Sequence, residues 1–218
     1  MGLRVVLEVA PKRAFASALD WPGWSRGAKT PDEAVESLLA YGPRYARVAK
    51  RAEIAFSPPS TARGVEIVER QKGGGGTEFG VPSSPARPEA DPLPPRELAR
   101  LVALLEGSWA AFDAAARSAE GVALTLGPRG GGRQVPKMVE HVREAEAAYV
   151  HQLGTKSSGT TMDELRRSFV EALEHLAAGE PLPTPNKVKR PWTPRYAIRR
   201  SAWHALDHAW EIEDRLPG

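Results

Sequence analysis

Residues 71–94 can form neither a long helix nor a central strand. Gly73, Gly74, Gly75 and Gly76 run together, and Pro82, Pro85, Pro88, Pro92 and Pro94 follow. Glycine resists ordering and proline lacks a backbone donor, so regular hydrogen-bonded structure cannot run through such a stretch. It reads as a linker, pliant at its glycines and stiffer at its prolines. The 218-residue chain is thereby divided into residues 1–70 and residues 95–218, each of a size for one core.

Residues 1–70 pattern as a small α+β domain. Residues 3–10 alternate as a strand, 13–19 can pair with it as a hairpin, and Pro22-Gly23 marks a turn. Thr30-Pro31-Asp32-Glu33 is a helix start, with threonine as N-cap, proline in the first turn and a glutamate able to close a capping box. That helix is expected to run through Val35, Leu38 and Tyr45 to about residue 52, and Gly64–Arg70 reads as a third strand. So short a segment makes a thin core, which docking on the second part or on a second copy in a homodimer would reinforce.

Residues 95–218 read as four helices. Apolar residues recur at helical spacing over about 95–118 (Leu98, Leu101, Leu105, Trp109, Phe112) and about 136–153 (Met138, Val142, Tyr149). A glycine-rich break at 127–132 separates these two. Thr161-Met162-Asp163-Glu164 is a second capping box, opening a helix that Gly179 ends, and Thr193-Pro194 opens the last, to about Leu216. Four helices of similar length predict a four-helix bundle. The expected fold class is therefore α+β.

The last of these helices carries His204 and His208. A spacing of four puts both imidazoles on one face, one turn apart, where they can share a metal ion. At about 100° per residue their face is lined by Ala197, Ser201, Ala205 and Ile212 and points inward. His141, on the second helix beside Met138 and Val142, also faces inward. Burying three unpaired imidazoles is costly, and a metal resolves that cost. The chain has no cysteine, which excludes thiolate ligands, disulfides and a cysteine nucleophile. Zinc, nickel or iron all accept three imidazoles, and three histidines plus an exchangeable position is the pattern of a reactive site. Glu211, three residues past His208, could reach as a fourth ligand, whereas Asp207 points further round and would orient an imidazole or face solvent. His151 and His175 fall off the inward stripes.

The stretch RRSAWHALDHAWEIEDR (199–215) resembles the last helix of the DinB/YfiT-like metal-binding bundles, and VEHVREAE (139–146) resembles their second helix. The likeness covers about residues 95–218. It implies a divalent metal held by His141, His204 and His208, and a small-molecule substrate. Relatives include transferases and isomerases that use low-molecular-weight thiols, and others that look like hydrolases. The first part is similar to the HicB-like fold through VVLE (5–8), AFASALDWPG (14–23) and GAKTPDEA (27–34). No helix-turn-helix follows, so the resemblance implies an accessory role, dimerising or covering the bundle, rather than toxin neutralisation. A regulatory module with a structural metal and a HicB-like partner-binding domain is the alternative.

Lys187, Lys189, Arg190, Arg195, Arg199 and Arg200 form a basic run, but a net charge of +3 is too small to argue for nucleic acid. Arg200, one turn before His204, is placed to hold an anionic substrate group. Trp203 and Trp210, on the other side of that helix, suit packing against a neighbouring layer. Neither an apolar run long enough to cross a bilayer nor a signal peptide is apparent, so a cytoplasmic location is expected.

Overall fold

The computed structural model describes residues 2–127 and 132–217. Residues 128–131, within the expected glycine-rich break, lie outside the described residues.

Strands β1 (Leu3–Val9) and β2 (Ala14–Ala18) form the expected hairpin, Val9 pairing Ala14 and Val5 pairing Ala18. Two further strands complete the sheet. One is β3 (Ser25–Ala28), antiparallel to β2; its Ser-Arg-Gly-Ala sequence carries no alternation and gave no signal. The other is β4 (Val65–Lys72), parallel to β1, so the order is β3-β2-β1-β4. All five residues of β2 are buried. Both faces of the sheet are therefore covered at β2, since successive side chains alternate between them, while the edge strand β4 is partly exposed.

The single helix expected to reach residue 52 is instead two: α1 (Pro31–Ala40) and α2 (Gly42–Arg51), hinged at Tyr41. The cause is Gly42-Pro43. Proline cannot donate to a carbonyl one turn back and its ring clashes there, so it is tolerated only by beginning a new helix. The Thr30–Glu33 capping box forms as expected. Ala34, Val35 and Leu38 of α1 pack on Val5, Leu7 and Ala16 of the sheet.

The segment read as a linker is more ordered than a spacer. The glycine run begins a short helix, α3 (Gly75–Phe79), and a 3-10 turn follows at Arg87–Ala90. The buried carboxylate of Glu8 binds the segment to the sheet, accepting from the Thr77 hydroxyl and from the backbone N–H of Ser83 and Ser84. Buried Glu89 binds it to the last helix through Arg199, 2.5 Å away. A composition that forbids regular structure does not forbid order when distant side chains supply the partners.

Four long helices follow: α4 (Pro95–Ser118), α5 (Val135–Gln152), α6 (Met162–Ala178) and α7 (Pro194–Arg215). They share one apolar core, including Leu105, Phe112, Met138, Val142, Phe169, Leu173, Ala205 and Ile212. Gly154 and Gly179 follow the ends of α5 and α6 with φ of +92° and +70°, a backbone that glycine adopts without a Cβ clash. Helix α7 lies between this core and the sheet. Leu206 and Trp210 join the sheet's core, and Trp203 meets Phe15 edge-on at 6.3 Å. The Pro22-Gly23 turn rests directly on α7, where a Cβ on Gly23 would come within 2.7 Å of Leu206. Arg26 pairs Asp207 at 3.2 Å, and Arg44 pairs Glu213 at 2.6 Å and Asp214 at 2.8 Å. Among the described residues no helix is long and apolar enough to cross a membrane.

Candidate metal centre

Helix α7 is buried nearly all round because small residues, Ala197, Ser201, Ala202, Ala205 and Ala209, let its neighbours approach closely. His204 and His208 project from the side facing α5, only 7% and 9% exposed. His141 projects from α5 to meet them and is half-buried, so the group is open to solvent on that side. Ring centroids are 5.0 Å (His141–His204), 5.1 Å (His141–His208) and 4.7 Å (His204–His208) apart. One nitrogen from each ring lies within 4.8 Å of the other two, the one such group of three or more donors among the described residues.

The Nε2 atoms of His141 and His204 are 3.2 Å apart. Two imidazole nitrogens on one tetrahedral ion, each about 2.0–2.1 Å from it, are about 3.3 Å from each other. The side chains therefore stand at the separation a shared ion requires. Burial disfavours the imidazolium of both, holding His204 well below its ordinary pKa and lowering His141, with neighbouring His208 adding to each effect. The neutral ring is the form whose lone pair can ligate.

Glu211 orients His208. Its Oε2 accepts from His208 Nδ1 at 3.0 Å and its Oε1 accepts from Arg215 Nη1 at 2.7 Å. The hydrogen bond from His208, aided by Arg215, pulls the Glu211 carboxyl below its usual pKa. An ionised carboxylate can only accept, so His208 carries its proton on Nδ1 and, when neutral, presents Nε2 to the other two rings. Glu211 thus stands behind a ligand and is absent from the three-histidine group. Asp207, expected to orient an imidazole or face solvent, is partly exposed and pairs with Arg26.

The basic run divides sharply. Arg195 grips Glu97 at 2.6 Å and the carbonyls of Asp91 and Pro92. Arg199 is held by Glu89 and the Ser84 carbonyl. Arg200 alone of these three has no acidic partner: its guanidinium lies 4.7 Å over the Trp203 ring and 5.3 Å over Tyr149, and its Nη1 is buried without a hydrogen-bond partner among the described residues. Lys187, Lys189 and Arg190 are exposed, as is His151.

No protein-family model, curated protein or solved structure matches the chain. A cleft of about 870 Å³ lies between the C-terminal end of α4 and the N-terminal ends of α5 and α6. It is lined by Phe112, Val122, Val139, Met162 and Arg166 and does not include the histidines.

Proposed function

We propose that the chain is a divalent-metal-dependent enzyme whose centre is held by His141, His204 and His208, a transferase or hydrolase of the DinB/YfiT-like kind. The observation that carries this is a set of three imidazole nitrogens gathered within 4.8 Å of one another, with no fourth protein donor in the group. A zinc, nickel or iron ion bound there would supply a Lewis acid with an exchangeable position for a small-molecule substrate or a low-molecular-weight thiol. The chain's own contribution is preparation. Burial keeps His204 and His141 neutral, Glu211 fixes the tautomer of His208, and Arg215 fixes Glu211. The half-buried His141 leaves a side for a substrate to approach. The N-terminal HicB-like part has an accessory role in this scheme, buttressing the side of α7 that bears Leu206 and Trp210.

A structural metal in a regulatory module is favoured by one observation, that the cleft of about 870 Å³ lies away from the histidines. Elemental analysis of tag-free protein tests the site: about one divalent ion per chain in the wild type, lost in His204→Ala. Equal metal in both proteins would sink it. X-ray absorption on the loaded protein separates the two roles, since three nitrogens plus a solvent oxygen favour the enzyme and four protein donors the module.

A further inference from the structure

We propose that Arg200 is the anchor for an anionic group of the substrate, a carboxylate or a phosphate-type oxyanion, seated beside the three histidines. This rests on the metal centre proposed above and names the chemistry it would serve. The first argument is charge balance. Three neutral imidazoles contribute no negative charge, and the acid behind them, Glu211, already answers His208 and Arg215. A divalent ion would therefore keep its full charge. Arg200 and Arg133 add positive potential at His204. An anion in the remaining position offsets both.

The second argument is that Arg200 is built as a donor and left unused. Its guanidinium carbon lies over the Trp203 and Tyr149 rings, cation–π contacts that hold it in place. Its Nη1 is buried with no partner, and so is Nε1 of Trp203 on the ring beneath it. Buried unsatisfied donors are costly and uncommon, so two on neighbouring side chains call for an acceptor. Arg195 and Arg199 on the same helix both grip carboxylates, whereas Arg200 has no acidic partner among the described residues. The third argument is position. Arg200 precedes His204 by one turn on α7, and the Tyr149 ring over which it lies is 5.8 Å from His204.

Cobalt(II) loading provides the test. Wild type, Arg200→Gln and Arg200→Lys are loaded, metal content is measured, and acetate and inorganic phosphate are titrated while the visible cobalt band is followed. Equal cobalt uptake by the three proteins is expected, with anion affinity at least tenfold weaker in Arg200→Gln and largely kept in Arg200→Lys. The tighter of the two anions identifies the substrate's group. Equal affinity in wild type and Arg200→Gln overturns the proposal, as does a loaded wild type that binds neither anion. A wild type that takes up no cobalt overturns the metal centre itself, and this assignment with it.

Discussion

Replacing Glu211 by glutamine should weaken metal binding about 10–100-fold while leaving the number of metal ligands unchanged. The carboxylate accepts two hydrogen bonds from opposite sides, 3.0 Å from His208 Nδ1 and 2.7 Å from Arg215 Nη1. An amide has one accepting oxygen and a donating nitrogen, so it can satisfy only one of them and sets N–H against N–H at the other. If His208 loses its acceptor, its ring is free to rotate or to change tautomer. At 1.4 kcal/mol per factor of ten, the expected loss is about 1.4–2.7 kcal/mol of binding free energy. Competition against a chromophoric chelator measures it, beside His208→Ala as the reference for losing a ligand outright. An affinity within about twofold of wild type would show that Glu211 orients nothing. A loss as large as that of His208→Ala, with one fewer donor by X-ray absorption, would make Glu211 a ligand.

Two further outcomes follow from buried groups. Desolvation pushes the Glu146 carboxyl up to about 7 against the pull of Arg166, 3.2 Å away. The folded chain then holds this proton more tightly than the unfolded one, so Glu146's contribution is full below about pH 4 and is lost as pH rises through about 7, by on the order of 3 kcal/mol. Glu146→Gln should therefore gain urea resistance relative to wild type at pH 8 but not at pH 4.5; the same difference at both pH values would refute this. Gly23 has φ of +92°, and a Cβ there would sit 2.7 Å from Leu206 Cδ1 and 3.1 Å from Ala202 Cβ. Gly23→Ala should cost about 2–4 kcal/mol by chemical denaturation, and a cost below about 1 kcal/mol would mean that the turn shifts freely on α7.

What was legible in the sequence was whatever local spacing controls. The four long helices, the Thr30 and Thr161 caps and the inward stripe bearing His204 and His208 follow from a period of 3.6 residues and from capping chemistry a few residues in reach. His141 was recoverable because its own stripe could be read independently. Non-local partners hid the rest. β3 exists because β2 offers it a hydrogen-bonding edge, and the 73–94 segment is ordered because Glu8 and Arg199 reach it from the sheet and from α7. Asp207 finds its partner, Arg26, far away in sequence, which no local spacing shows. A helical wheel gives the angle between two side chains, and the sheet against α7 decides which of them meets Arg26.

That division of α7 bears on how the centre is held. Asp207 and Glu211 lie one turn apart, yet one faces the sheet and the other the histidines. Helix α7 is thus clamped from both sides, and His208 cannot turn without disturbing Glu211. Glu211 in turn is fixed by Arg215, whose guanidinium also donates to the carbonyls of Thr125 (2.7 Å) and Arg133 (2.9 Å). The orientation of one imidazole is therefore tied to the chain between α4 and α5, on both sides of its glycine-rich stretch. An ion at the three histidines would draw α5 and α7 together through His141. It would reinforce the same carbonyl contacts, so its binding should protect the Thr125 amide, which donates to the Arg215 carbonyl at 2.9 Å, from hydrogen exchange.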